Sequence, residues 1–303
     1  MQSSLQELDS LLAKQEPEAE AAALRLMQQL KERGVVRGFG GAQQVPKRQY
    51  TLEELRLNDI EAERLLSPTD NTLSSIRTAL QVAAAAGLAA LYFGLHWETQ
   101  QLVSALVATL FVFSVDQVAN SGGLEALALD AAGRVLSRSY AQRVAAHEAG
   151  HFLLAYLVGL LPKSYTLSSL DALRRYGALN VQAGTLFCDS AFQREVAAGT
   201  LSSASLDRYT CVALAGVATE YVSYGQAEGG LNDVQQLDGM LRALQFSQKK
   251  ADSEIRWAVL NLVTLLRRHK RVHARLADAM AAGRSVGECI GIVEAELAGA
   301  AEV

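Results

Sequence analysis

In the first 72 residues, mostly polar stretches carry apolar residues at helical spacing, and two long apolar stretches follow before residue 120. Over residues 5–33, leucines recur at the spacing of a helix face, and Pro17 falls where a second helix would begin. A capping-box pattern at Thr51 starts a further short helix, which we expect to end near Leu66. We therefore predict that residues 1–72 form a polar, helical N-terminal extension.

Two stretches, residues 79–95 and 101–115, contain no charged residue. A membrane-spanning helix needs about 17–25 apolar residues, so the second stretch is long enough only if it continues past Asp116. We predict a two-helix transmembrane hairpin over residues 73–120; the alternative is a helical hairpin buried in a soluble core. Lysines and arginines, Arg143 among them, flank the outer ends of the hairpin and are absent from its connecting loop. The positive-inside rule then places both termini on the cytosolic or stromal side.

The composition narrows the class of protein further. Half of the 303 residues are hydrophobic and 20% are charged, which excludes disorder over most of the chain. The net charge of −4 gives no sign of the basic surface that a nucleic-acid-binding protein needs. The three cysteines are far apart and odd in number, which favours a reducing compartment.

Residues 121–303 have the pattern of a mainly helical domain with one small β element. We predict a linker helix over 124–138, a strand-like stretch at 164–187, a long helix over 253–277 and a last helix over 285–299. The predicted fold is therefore mainly α, with the polar extension and the hairpin preceding this helical domain.

One motif in this domain carries chemistry. His147-Glu148-Ala149-Gly150-His151 is an H-E-x-x-H sequence inside an apolar helical run. Histidines four residues apart lie on one face of a helix, where both imidazoles reach a single Zn²⁺. The glutamate between them then lies beside the metal, where it can accept a proton from water. Apolar flanks make an ordinary surface pair unfavourable, because they would bury ionisable groups without partners.

A zinc peptidase needs a third protein ligand from elsewhere in the chain. His269 and His273 are also four residues apart, but a run of lysines and arginines surrounds them, and a cation there would add charge to charge. We expect that run to form a basic or simply solvated helix face. From the residues alone, the candidates for the third ligand are Glu220, Asp233, Asp238, His269 and His273.

Residues 139–250 resemble the peptidase domain of FtsH-type membrane proteases. The H-E-x-x-H motif, a small-residue helix over 213–225 and a Gly-x-Asn-Asp helix start at Gly230 follow in the order and spacing of that family. The resemblance implies a zinc peptidase fold in which the third zinc ligand is the aspartate of the last motif. It assigns zinc ligation to His147, His151 and Asp233, the general base to Glu148, and a place near the metal to Glu220.

Departures from the family pattern refine this expectation. The chain contains no G-x-x-x-x-G-K-[ST] sequence, and about 70 residues precede the hairpin, so we expect no ATPase module and no use of ATP. Val217 stands where the family has an arginine, and residues 162–203 match poorly. The chain is more similar to the ATPase-less FtsH-like metalloproteases of chloroplasts and cyanobacteria. That similarity implies a thylakoid, chloroplast envelope or cyanobacterial membrane.

The expected function is that of an ATP-independent, membrane-anchored zinc metalloendopeptidase that cleaves exposed segments of membrane proteins. Its expected partners are these substrates, the lipid bilayer and either further copies of itself or a membrane complex, with no nucleic acid. One alternative is a catalytically idle scaffold or assembly factor that keeps the fold and the zinc. The other is a site-2-type intramembrane protease, since Leu237-Asp238-Gly239 is similar to a motif of that class.

Overall fold

A computed structural model describes residues 1–14, 16–177 and 183–299. The described chain is mainly helical and has one small sheet of two strands, as the sequence predicts. The first helices are α1 Gln2–Leu12, α2 Pro17–Glu32, α3 Leu52–Leu57, α4 Ala62–Leu66, α5 Asn71–Phe93, α6 Thr99–Ala119, α7 Gly123–Leu136 and α8 Arg138–Leu157. Then follow β1 Pro162–Thr166, α9 Ser169–Tyr176 and β2 Gly184–Phe187. The last helices are α10 Ser190–Ala197, α11 Ser203–Ala213, α12 Ala215–Tyr224, α13 Leu231–Ala243, α14 Gln248–Arg268, α15 Lys270–Ala281 and α16 Val286–Leu297.

The predicted helix starts are confirmed where a cap or a proline marks them. Pro17 is the first residue of α2, where its missing N–H costs nothing. The Thr51 hydroxyl accepts the N–H of Glu54 at 3.1 Å, and the Glu54 carboxylate accepts the N–H of Thr51 at 2.8 Å. The single helix expected from this cap to Leu66 is wrong. Asp59 has a φ of 54°, which ends α3 and separates it from α4.

Two longer predictions are also corrected. The helix expected over 253–277 is two helices, α14 and α15, because His269 leaves the helical conformation between them. In the described part of the strand-like stretch expected at 164–187, only the two ends are strand, and along the chain the eight-residue helix α9 comes between β1 and β2. Residues 178–182 of that stretch lie outside the described residues.

The chain divides into two compact units. Unit 1 comprises Met1–Thr69, Arg143–Tyr165 and Thr185–Val303. In the part of α8 that belongs to this unit, every residue from Ala145 to Leu157 is buried, including His147, Glu148 and His151 of the H-E-x-x-H motif. A second large group of buried side chains joins α3, α4, α12, α13 and α14. The N-terminal helices belong to this unit and bury apolar side chains in it, such as Leu8, Met27 and Leu55.

Unit 2 comprises Asp70–Gln142 and Thr166–Gly184. In this unit α7 packs against α5, α6 and α9. The buried Asp116 carboxylate accepts the N–H groups of Leu124 and Glu125 at 3.0 and 3.1 Å, and so caps the start of α7. Asp130 accepts the N–H of Ser169 at 2.8 Å, which ties α7 to α9.

The helices α5 and α6 are both long and apolar enough to cross a membrane. Their apolar side chains are exposed, including Phe111 at 68% and Val118 at 88%. The alternative prediction, a helical hairpin buried in a soluble core, is therefore wrong, because α5 and α6 are largely exposed. The predicted division into segments 1–72, 73–120 and 121–303 stays a prediction, although Met1–Thr69 belong to the same compact unit as the part of α8 that begins at Arg143.

Candidate metal centre

The two histidines of the H-E-x-x-H motif lie one helical turn apart in the buried part of α8. Their ring centroids are 4.9 Å apart, and the Nε2 atoms of His147 and His151 approach to 3.1 Å. Helix α13 brings a carboxylate to the same place, since Asp233 is the third residue of that helix. Its Oδ2 atom lies 3.2 Å from His147 Nε2 and 3.4 Å from His151 Nε2.

These three atoms have the spacing of ligands around one metal ion. A tetrahedral ion with ligand bonds of about 2.0–2.2 Å separates its ligand atoms by about 3.3–3.6 Å. The observed separations of 3.1, 3.2 and 3.4 Å are close to that edge length. His147, His151 and Asp233 therefore form a group that could hold a metal ion.

The opposite nitrogen of each imidazole is fixed by a hydrogen-bond acceptor. His147 Nδ1 lies 2.8 Å from Glu220 Oε1, and His151 Nδ1 lies 2.9 Å from the carbonyl oxygen of Val212. An ionised carboxylate and a carbonyl only accept, so both Nδ1–H groups donate. In a neutral imidazole this leaves Nε2 with its lone pair, directed at the other two candidate ligands.

Glu220 is itself held by several donors. Its side chain is 2% exposed, and Oε2 accepts the N–H of Glu228 at 2.8 Å and that of Gly229 at 3.2 Å. Arg143 Nη1 donates to the same oxygen at 3.0 Å. The resemblance places Glu220 near the metal, and in the structure its contact to the group is the bond to His147.

The charges at this site favour a cation. Burial opposes a charge on His147, but the bonds to Asp233 and Glu220 outweigh burial and raise the pKa of the imidazole well above its usual value. Burial likewise opposes ionisation of the two carboxyl groups, but their bonds to the histidines outweigh it and lower the pKa of both Glu220 and Asp233. A divalent ion between the ligand atoms would supply the positive charge that these carboxylates stabilise.

Glu148, the glutamate of the motif, lies beside this group and is 5% exposed. The hydroxyl of Thr185, in β2, donates to Glu148 Oε2 at 2.9 Å. Among the described residues, no hydrogen bond is made to the other carboxylate oxygen, Oε1. One oxygen of Glu148 is therefore fixed and the other is available to a further donor.

Two glycines leave space for the imidazole of His147. A Cβ atom at Gly216, in α12, would overlap the His147 imidazole. Gly230 precedes α13 with a φ of +84°, and a Cβ there would lie 2.9 Å from His147 Cε1 and 3.1 Å from Asp233 Oδ2. The small-residue helix ends at Gly225 in the left-handed conformation, as the sequence predicts.

The other candidates for the third ligand lie elsewhere. Asp238 is exposed and pairs with Arg242 at 2.8 Å. His269 and His273 are buried, so the expected solvated face is wrong for these two, although the neighbouring cations Arg267, Arg268 and Lys270 are exposed. His273 Nε2 donates to the carbonyl oxygen of Ala146 at 2.8 Å, and His269 Nε2 has no hydrogen bond among the described residues.

Three contributions to the site were not found by sequence reasoning. The Val212 carbonyl and the Thr185 hydroxyl come from elements whose positions the local pattern does not give. Arg143 was recognised only as one of the charges that flank the hairpin. The sequence did contain a signal for Arg143, because it lies four residues before His147 and therefore on the same face of α8.

Comparison of the chain with protein-family models, with curated proteins and with solved structures finds no match.

Proposed function

We propose that the chain is a membrane-anchored zinc metalloendopeptidase of the FtsH-like, ATPase-less type. One observation carries the proposal: the ligand atoms of His147, His151 and Asp233 have the spacing of a tetrahedral metal site, with a glutamate beside them. Two imidazoles and one carboxylate are a usual ligand set of catalytic zinc, which keeps a fourth position open for water or substrate. Both imidazoles also have the hydrogen-bonded Nδ1–H that supports zinc ligands.

In this proposal the zinc ion supplies Lewis acidity towards a peptide carbonyl and makes water more acidic. Glu148 accepts the proton of the attacking water at Oε1, the oxygen that Thr185 leaves available. Glu148 then delivers a proton to the leaving amine. Thr185 keeps the carboxylate in one orientation during both transfers, because its hydroxyl bonds to Oε2 at 2.9 Å.

The proposed substrates are exposed loops or tails of membrane proteins. The 303 residues contain no G-x-x-x-x-G-K-[ST] sequence, so they offer no nucleotide site of this type for unfolding a substrate. Only extended or locally unfolded segments would then reach the site. The exposed apolar surfaces of α5 and α6 support a bilayer as the surroundings of this chain. We place both flanks of the hairpin on the cytosolic or stromal side of a thylakoid, chloroplast envelope or cyanobacterial membrane, because the cations lie outside the hairpin loop.

The intramembrane alternative has less support. It requires the H-E-x-x-H motif on a membrane-crossing helix, and the two described helices that qualify as spans, α5 and α6, do not carry it. Asp238, which would be the ligand in that alternative, bonds to Arg242 instead.

Glutamate-to-glutamine substitution at position 148 separates zinc binding from hydrolysis. We expect the full chain in nanodiscs to carry about one zinc per chain and to cleave an unfolded, quenched-fluorescent protein substrate. Glu148→Gln should keep the zinc and lose about 10²–10⁴-fold in rate, because the amide cannot accept the proton. Glu63→Gln, at an exposed glutamate, is the matched control and should behave as the wild type.

The outcomes distinguish an active peptidase from a catalytically idle scaffold. Hydrolysis retained in Glu148→Gln would overturn the proposed mechanism. A wild-type chain that binds zinc and cleaves nothing, together with rescue of a null strain by Glu148→Gln, would favour the idle scaffold.

A further inference from the structure

Arg143 lies one helical turn before His147, and both side chains reach the same carboxylate. His147 Nδ1 is 2.8 Å from Glu220 Oε1, while Arg143 Nη1 is 3.0 Å from Glu220 Oε2. Glu220 therefore connects two residues of one face of α8 through its two oxygens. We propose that Arg143 is a positioning residue for zinc: it fixes Glu220, and Glu220 fixes the imidazole of His147. This inference rests on the proposed zinc site.

The guanidinium group of Arg143 is held in place from several sides. Its Nη2 atom lies 3.4 Å from Glu228 Oε1, and its central carbon lies 4.3 Å from the centre of the Tyr224 ring. The Arg143 side chain is 20% exposed, so these contacts are largely shielded from water. A planar guanidinium can donate to two carboxylates at once and stack on an aromatic ring, which an ammonium group cannot do in the same way.

Glu220 needs such a partner because it is buried. Two backbone N–H groups and the His147 ring also donate to it, and Arg143 adds a positive charge that is present at every accessible pH. A buried carboxylate that loses its charged partner is strongly unfavourable, so it moves towards water or takes up another orientation. His147 would then lose a well-placed acceptor at Nδ1, and its Nε2 atom would be less well directed at the metal. Partners that hold a ligand in this way typically contribute about 10–100-fold to metal affinity.

The test is the zinc affinity of the full chain in nanodiscs, measured by competition with a chromophoric chelator. We expect Arg143→Ala to weaken the Kd for zinc by about 10–100-fold. Arg143→Lys should retain part of the affinity, because an ammonium restores the charge but not the second donor to Glu228. Arg138→Ala removes the same charge from an exposed position of the same helix and should leave the Kd unchanged.

Two further measurements separate positioning from a general loss of structure. The absorption spectrum of the Co²⁺-loaded protein should change in Arg143→Ala, since the geometry around the ion changes, and should stay as in the wild type for Arg138→Ala. Unfolding of the zinc-free proteins gives the folded fraction by which each Kd is corrected.

The contrary outcomes are distinct. A corrected Kd and a Co²⁺ spectrum equal to those of Arg138→Ala would overturn the role of Arg143. So would tighter binding, because the charge would then act mainly by repelling the metal. A wild-type chain that binds no zinc would overturn the proposed function as well.

Discussion

Unit 1 contains two pairs of buried histidines at the same spacing, and only one pair forms a candidate metal site. His147 and His151 direct their Nε2 atoms at one carboxylate and have their Nδ1 atoms bonded to fixed acceptors. At the second pair, His273 donates to a backbone carbonyl, and the Nε2 atom of His269 has no hydrogen bond among the described residues. Equal spacing along the chain therefore does not make a metal site by itself, because the first pair also has carboxylates that α12 and α13 bring to it.

Removing one histidine from each pair gives the largest expected difference. We expect His151→Ala to lower the zinc content from about one ion per chain to none, because two remaining ligands do not hold the metal against a chelator. His273→Ala should retain the zinc, since its imidazole contacts a carbonyl of α8 and no ligand atom. Metal analysis after dialysis against chelator measures both. Equal loss in the two variants would show that the pairs do not differ as the structure indicates.

The pH dependence of stability sharpens the comparison at the second pair. Burial, and for His269 the charge of Arg268, lowers the pKa of His269 and of His273 below the usual value near 6.5. As the pH falls through about 6.5, the unfolded chain takes up protons that the folded chain does not. The free energy of unfolding therefore decreases with acidification, until the pH passes below the folded-state pKa values.

A double substitution tests this sign. His269→Gln with His273→Gln removes both titrating groups, so the free energy of unfolding of the zinc-free variant should fall less steeply between pH 7 and pH 5 than that of the wild type. Denaturant unfolding at several pH values gives both slopes. Equal slopes would mean that these two imidazoles take up protons as easily in the folded chain as in the unfolded one.

The two histidine pairs also show which features the sequence could predict: those that depend on a few neighbouring residues. Local signals at Pro17, Thr51 and Gly225 predicted where helices begin or end, because caps and turn conformations depend on a few neighbouring residues. The spacing in the H-E-x-x-H motif likewise predicted that two imidazoles share a helix face. The burial of His269 and His273 could not be predicted from the basic residues around them. It depends on the break between α14 and α15 and on the carbonyl of Ala146, which is far away in the chain.

The choice of a candidate third ligand shows more sharply what the sequence could not predict. The residues alone left five candidates, and the resemblance singled out Asp233. Asp233 and Asp238 lie in the same helix, α13, but one lies at the histidines and the other at the surface. The fold makes that distinction, because Gly230 and Gly216 allow the start of α13 and the side of α12 to approach the His147 ring.

Asp238→Asn gives the smallest expected effect, and it compares the exposed aspartate of α13 with Asp233 of the same helix. Asp238 forms an exposed ion pair with Arg242, which is four residues further along the helix. Losing this pair should change the free energy of unfolding by at most about 0.5 kcal/mol. The zinc content and the zinc Kd should stay at the wild-type values, whereas Asp233→Asn should weaken the zinc Kd strongly, since the amide is a poorer ligand than the carboxylate. Metal analysis and denaturant unfolding of the two variants measure both effects. Loss of zinc in Asp238→Asn with retention in Asp233→Asn would assign the third ligand to the surface residue and contradict the geometry around His147.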